Sequence, residues 1–351
     1  MNNIQTYKVQ IKFKEKCTTM SSAIEFHAGY KQSNGKQDVF RFSASAIELT
    51  LVRSKKYDTI ITRPQNSINS QIIKALIAYY AVSNVISPIK NFTIRRVVGT
   101  NEEVYSECEA FQQPLRIRRT IENELHFQTT ILSTIIEDSP RGAALRIALS
   151  YWLNVMVVDN VYLKFENLWR AFNRLYVYQG NGQNEFESMK TMKQLILDNQ
   201  DKFPQSMAIT NGYTKEELHS FRWQQMILND YPTRNHTQAL VDFIERYRDS
   251  RIMVLLNEKL VCREEYINES GKWTEVQNHI ARNAHTISDI ELVTILCIKY
   301  AYFIRNKYFH GETLDGTFKL MQDNIDFEFE RISKLLSTLI FEIIDGNILR
   351  N

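Results

Sequence analysis

Residues Thr286 to Glu312 read TISDIELVTILCIKYAYFIRNKYFHGE, and this stretch decides that the C-terminal half is helical. Ser288 followed three positions later by Glu291 predicts a capping box, with the N-cap hydroxyl and the glutamate each satisfying a backbone N–H at the helix start. Ile287 before the cap and Leu292 at the fourth helical position predict a hydrophobic staple. Gly311 supplies the left-handed residue that ends helices. Between these signals Ile290, Val293, Cys297, Tyr300, Ala301, Ile304 and Tyr308 recur at three- and four-residue steps, so one face is expected to be buried. The polar end carries Arg305, Asn306 and His310, which are the candidate catalytic residues.

On an ideal helix Arg305 and His310 are separated by about 140° of rotation and about 7.5 Å of rise. Their side chains do not stack, but both reach a groove past the helix end, and that groove suits a phosphate. Arginine offers a planar fork to phosphate oxygens, and histidine exchanges protons near neutral pH. Intramolecular RNA cleavage needs this pairing: a base removes the 2′-OH proton while a cation stabilises charge on the phosphorus oxygens. The same residues have a plainer use, because Arg305, Lys307 and His310 in the last turns complement the helix dipole. The spacing alone does not separate the two readings, since Arg119 and His126 satisfy it as well.

Context separates them. The string from Tyr302 to Gly311 resembles the C-terminal signature of HEPN-domain proteins, in which Arg, a polar residue and then His close an amphipathic helix. The nearest likeness is to the Apea-like HEPN branch, with its "IRN…HG" form. That branch carries Leu-Trp-x-Ala-Leu-Glu-x-Leu on an earlier helix, and Leu168 to Leu175 here is similar. The resemblance spans about residues 141–350. It implies a helical-bundle domain, a metal-independent endoribonuclease without cofactor, and a homodimer whose two motifs face each other in a composite active site. His310 would act as general base or acid, Arg305 would stabilise the phosphorane, and Asn306 would orient either group. The activities implied are anti-phage defence, abortive infection or a toxin held by an antitoxin or roused by an activator protein. The alternatives are a non-catalytic HEPN module that binds RNA or a partner protein, and a helical dimerisation scaffold.

The chain departs from the branch at Asn173, where glutamate is usual. Asparagine can hydrogen-bond an arginine or a ribose hydroxyl but cannot neutralise a guanidinium, and Glu166, two turns earlier, is the candidate substitute. Some HEPN toxins carry a modifiable tyrosine two residues after the histidine, where this chain has Glu312, so that control is not expected.

Upstream, residues 1–65 are expected to be β-rich. YKVQIKFK alternates apolar Val9, Ile11 and Phe13 with polar neighbours, DVFRFSASAIELTLV continues the pattern, and Ser33-Asn34-Gly35 is a turn between them. Residues 68–86 read as one helix and FTIRRVVG as a strand, while 100–140 show no clear pattern. From Pro140 long helices follow. Leu145, Ala148, Leu149, Trp152, Val155 and Met156 form a stripe as far as Asp159-Asn160, which can break and recap the chain. Tyr162, Phe165, Leu168, Trp169, Phe172 and Leu175 form the next stripe. YQGNGQNE is a loop, segments near 186–200, 214–229, 236–248 and 251–268 are helical, Pro204 and Pro232 lie in connections, and 321–344 is a final amphipathic helix.

The expected fold class is therefore an α+β accessory domain over residues 1–140, sensing a trigger or selecting the RNA, followed by an all-α HEPN-like domain over 141–351. Eleven Gly and six Pro in 351 residues favour helices over turn-rich β architecture. A formal charge of +3 does not announce a nucleic-acid binder. Arg116, Arg118 and Arg119, with Arg95 and Arg96 upstream, can meet RNA backbone or form a solvated surface. The aromatics Tyr151, Trp152, Phe165, Trp169 and Phe172 sit at helical spacing, which favours core packing over base stacking. Cys17, Cys108, Cys262 and Cys297 are far apart, and His279 and His285 lie in or beside a loop, so no metal site is expected. With no apolar leader and no stretch long enough to span a bilayer, a cytoplasmic protein without membrane contact is expected.

Overall fold

The computed structural model describes residues 4–28, 37–63, 65–83, 85–105, 119–120, 125, 127–312 and 320–350. The chain divides into two compact units. The first comprises residues 1–159, 170–178 and 349–351, and the second comprises 160–169 and 179–348. The change to long helices at Pro140 and this division do not coincide, because the helix that starts at Pro140 packs inside the first unit.

In the first unit six antiparallel strands take the order β2-β3-β4-β1-β6-β7. They are β1 (Gln5–Phe13), β2 (Ile24–Ala28), β3 (Asp38–Ser43), β4 (Ala46–Arg53), β6 (Ile89–Val98) and β7 (Asn101–Val104), while β5 (Val85–Ile86) pairs with β8 (Arg119–Thr120). The alternation expected near the start is realised: Tyr7, Val9, Ile11 and Phe13 are buried and Lys8 and Lys12 exposed. DVFRFSASAIELTLV forms two strands, folded back so that Ser43 pairs with Ala46. Arg53 binds Asp38 through both guanidinium nitrogens at 2.6 and 2.8 Å and donates to Ser67 Oγ at 2.8 Å. This joins two strands to the start of α1 (Ser67–Val82), which packs against β4. Asn66 caps α1 by accepting from the N–H groups of Ile68 and Asn69.

The helix expected over 68–86 stops at Val82. Ser83 Oγ bonds the carbonyl and N–H of Val85, and such local bonds compete with helix continuation. The patternless stretch 100–140 contains β7, a 3-10 turn at Thr129–Ile131 and α2 (Leu132–Ile136). The Ser33-Asn34-Gly35 turn lies outside the described residues. Helix α3 (Pro140–Val155) buries Leu145, Ala148, Leu149, Trp152 and Val155 as its stripe requires, and packs on α1 and α2.

Asn160 recaps the chain as expected, its Oδ1 accepting from Tyr162 and Leu163 N–H at 3.0 Å each, and α4 (Val161–Gly180) begins. Tyr162 and Phe165 meet Phe329 at 4.6 and 5.0 Å between ring centroids. The second unit continues through α5 (Glu185–Asp198), α6 (Pro204–Asn211), α7 (Lys215–His219), α8 (Trp223–Asp230), α9 (Thr237–Glu245), α10 (Ser250–Lys259), α11 (Glu264–Glu269) and α12 (Trp273–Arg282). Pro204 opens α6 instead of lying in a connection, which suits proline because the first helical N–H has no partner inside the helix. The segment 251–268, expected to be helical, is α10 and α11 joined by a 3-10 turn at Leu260–Arg263.

The stretch quoted at the outset forms α13 (Asp289–Thr294), a π-helical segment (Ile295–Tyr300) and α14 (Ala301–Phe309). Its expected face is buried from Ile290 to Ile304, with Tyr308 half-buried, and Leu292 to Ile298 are all buried without a break, so this part is packed on every side. The capping box is not formed. Ser288 holds the N-cap position without a side-chain bond, and Glu291 Oε2 instead accepts from the N–H groups of Arg248 and Asp249 at 2.6 and 3.0 Å. The staple fails as well, since Ile287 is exposed while Leu292 is buried. Helix α15 (Asn324–Asp345) closes the unit, with Asp323 and Asp326 making a capping box of their own. Among the described residues no helix is long and apolar enough to cross a membrane.

Candidate functional site

The end of α14 is closed by a Schellman motif. Gly311 takes φ +72°, its N–H bonds the Tyr308 carbonyl, and Glu312 N–H bonds the Lys307 carbonyl, both at 3.0 Å. His310 N–H still reaches the Asn306 carbonyl at 3.0 Å, so the histidine stays on the last helical turn, and it is exposed. The sequence signal at Gly311 is therefore realised in detail, and it fixes the backbone that presents His310.

Arg305 and Asn306 are both half-buried and are brought together. The guanidinium Nη1 donates to Asn306 Oδ1 at 2.8 Å, and its carbon lies 5.0 Å from the Phe309 ring centroid. Arg305 Nε is buried without a hydrogen-bond partner among the described residues. This cation is held by an amide and a ring, and among the described residues no carboxylate lies within ion-pair distance of it, which leaves its charge to meet an anion. The neighbouring cation is occupied, because Lys307 pairs with Glu312. Phe309 itself is partly exposed beside His310.

The supporting residues are placed as follows. Asn173 is half-buried on the part of α4 that belongs to the first unit, and its Nδ2 donates to Tyr176 Oη. Glu166 is half-buried on the part of α4 belonging to the second unit. Arg116 and Arg118 lie outside the described residues, as does His126, and Arg119 is described only as backbone of β8. Arg95 and Arg96 face acidic partners across the β6–β7 ladder: Arg95 is 3.6 Å from Glu102, and Arg96 pairs with Glu103. That pairing makes them a charge-balanced surface rather than a free basic patch.

Other expectations resolve simply. Trp152, Phe165, Trp169 and Phe172 are buried, as core packing requires, and Tyr151 carries Arg170 over its ring at 5.7 Å. His279 sits on α12 rather than in a loop, with Nε2 2.7 Å from the Tyr247 carbonyl. Among the described residues no three His, Cys, Asp or Glu side chains cluster to hold a metal ion.

Sequence reasoning missed the aromatic surroundings of the site. Tyr162 stacks on Tyr308 at 5.4 Å with an interplanar angle of 14°, and Tyr162 Oη donates to Asp326 Oδ1 at 2.5 Å. Tyr300, at the end of the π segment, donates to Glu328 and accepts from Arg222 N–H at 2.6 Å, while Arg222 Nη2 lies 2.6 Å from Glu328 Oε2. These partners come from distant helices, and no local periodicity signals them.

No protein-family model, no curated protein and no solved structure matches this chain.

Proposed function

We propose that the helical unit is a HEPN-type domain and that the chain is a metal-independent endoribonuclease acting on RNA inside cells, in anti-phage defence or as a toxin. The observation that carries this reading is the grouping at the end of α14. An arginine that has no carboxylate partner among the described residues is held by Asn306, one turn from an exposed histidine on a helix end fixed by Gly311.

In this reading the His310 imidazole takes the 2′-OH proton, and the oxygen attacks the adjacent phosphorus. Arg305 stabilises the charge on the phosphorane oxygens. The 5′-oxygen leaves with a proton from a histidine acting as general acid, so the products are a 2′,3′-cyclic phosphate and a 5′-hydroxyl end. Asn306 holds the guanidinium in place. A second copy of the chain would contribute the facing motif, and the N-terminal unit would sense a trigger or select the RNA.

A second reading, an RNA- or protein-binding HEPN module that does not cut, is favoured by Asn173. Its amide is engaged by Tyr176 of the same helix, and it lacks the carboxylate that the resemblance leads one to expect there.

Purified wild type, Arg305→Ala and His310→Ala incubated with RNA in excess EDTA decide between them. Cleavage by wild type alone, leaving 2′,3′-cyclic phosphate ends, supports the nuclease. Equal cleavage by all three overturns this site, and arginine-dependent binding without cutting supports the second reading.

A further inference from the structure

One face of the six-stranded sheet buries Tyr7, Val9, Ile11 and Phe13, and the opposite face carries a row of lysines. Lys8, Gln10 and Lys12 alternate with the buried set along β1, so they share the open face. The same rhythm of exposure runs past the strand end to Lys14 and Lys16, with the Lys14 N–H still bonded to the Pro88 carbonyl at 3.0 Å. Across the ladder Lys12 stands opposite Asn91 and Phe13 opposite Ile89, so Lys90 is the unmatched residue of a bulge beside Lys12. Lys8, Lys12, Lys14, Lys16 and Lys90 are all exposed.

Two observations set this row apart from an ordinary solvated surface. The other charges on the face are balanced: Arg41 lies 3.9 Å from Glu48, which also accepts from Gln10, and Arg95 lies 3.6 Å from Glu102. Among the described residues no carboxylate lies within ion-pair distance of any of the row's ammonium groups. Lysines are also common on edge strands, where they block pairing with another chain. Strand β1 has β4 on one side and β6 on the other, so its lysines have no edge to protect.

Side chains two positions apart on a strand are about 6.8 Å apart, close to the step between successive phosphates of an extended nucleic-acid strand. A single row fits one strand, whereas a duplex offers two phosphate rows across a groove. The residues opposite Lys8, Gln10 and Lys12 are Thr50, Glu48 and Ala46 on β4 and Arg95, Thr93 and Asn91 on β6. None is aromatic, so the face has no platform on which bases would stack. We infer that the open sheet face of the first unit binds single-stranded nucleic acid through its phosphates, without regard to base or sugar. Such binding stands apart from the nuclease reading, because it needs no cleavage.

The test uses the full chain carrying His310→Ala, so that RNA stays whole, and follows binding of labelled oligo(U), oligo(C) and oligo(dT) between about 50 and about 200 mM salt. All three are expected to bind alike, and more tightly than a duplex of the same length. Each phosphate contact on a single strand contributes about 0.7 to the salt slope of log K, so Lys8→Gln/Lys12→Gln/Lys14→Gln should make that slope shallower by about 2. Affinity should fall about tenfold or more with Tm unchanged. Each single substitution should take about a third of the slope change, which keeps the test open should the triple variant not fold. Arginine at the same three positions keeps the charge and should keep the affinity. Absence of oligonucleotide binding by the parent chain overturns the surface, as does unchanged affinity in the folded glutamine variants. An equal loss in Lys215→Gln/Lys259→Gln/Lys334→Gln, which removes the same charge from the second unit, overturns it too. Preference for the duplex, or lysine-dependent binding to phosphatidylserine vesicles tighter than to any oligonucleotide, overturns the assignment to single strands.

Discussion

Asp249 Oδ2 accepts the Ser288 backbone N–H at 2.7 Å, 39 positions along the chain. The same carboxylate caps α10 by accepting from Arg251 N–H at 2.9 Å and holds the Arg251 guanidinium at 2.7 Å. Glu291 of α13 returns the bond to the Arg248 and Asp249 N–H groups. Two helix starts are thus satisfied by each other's carboxylates.

The exchange predicts opposite outcomes for the two cap residues. Ser288→Ala should change stability by no more than about 0.5 kcal/mol, like most substitutions away from a specific interaction. Asp249 is fully buried, and Asp249→Ala leaves the N–H groups of Arg251, Ile252 and Ser288 without their acceptor and Arg251 with Asp289 alone, so the loss should be about 3–5 kcal/mol. Denaturant unfolding of both variants measures the difference, and a full cap-sized loss in Ser288→Ala would refute this account.

Tyr300 anchors the end of the π segment to a buried pair. Tyr300→Phe removes one hydroxyl while Glu328 keeps Arg222, so it should cost about 1–3 kcal/mol. Glu328→Ala strands the guanidinium and the hydroxyl together and should cost more, about 3–5 kcal/mol. The reverse order of unfolding midpoints would mean that the ion pair is not what holds this end.

Gly311 matters for its backbone angle, not for space. Among the described residues a Cβ added there meets nothing within 4 Å, and φ is +72°. Gly311→Ala should therefore cost about 1–2 kcal/mol through the left-handed conformation alone. Gly311→Asn should cost less, because asparagine tolerates that region. Thermal unfolding ranks the three proteins, and a tie between Asn and Ala would point to a different cause.

Lys193 places its ammonium 4.0 Å over the Tyr247 ring centroid. Burial, with Arg246 adding to it and Glu291 opposing, lowers its pKa from 10.5 to about 8. Between these values the unfolded chain binds more protons than the folded one, so stability rises with pH there. Relative to Lys193→Met, wild type should gain stability as pH rises from about 8 towards 10.5 and should have lost that advantage below 8. Unfolding of both at pH 7, 9 and 10 reads the sign, and a pH-independent difference would place the amine at its ordinary value.

Much of the fold was legible where the signal is local. The alternation of Tyr7, Val9, Ile11 and Phe13 dictates a strand with one buried face. Asn160 caps its own neighbours, and Gly311 ends its own helix. Helix α12 went unread although Trp273, Val276 and Ile280 stand at helical spacing, because the helix is only 10 residues long and Val276 is the one residue on it that is buried. Helix α6 was illegible because its start is satisfied from afar: Glu342 of α15 accepts from the N–H groups of Gln205 and Ser206 at 2.7 and 3.1 Å.

The candidate site divides in the same way. Arg305, Asn306, His310 and Gly311 are neighbours in the chain, and a helix end brings neighbours together whatever surrounds it, so sequence alone determined that a cation and a histidine share one terminus. Tertiary structure decided what meets them. Tyr162 arrives on another helix to stack on Tyr308, and its hydroxyl is held by Asp326, 164 positions along the chain. The helix that carries the motif is packed on every side from Leu292 to Ile298 and begins on a carboxylate borrowed from Asp249. Periodicity reports which way a side chain points. It does not report which distant atom will satisfy a backbone N–H, because that choice is made only when the helices pack.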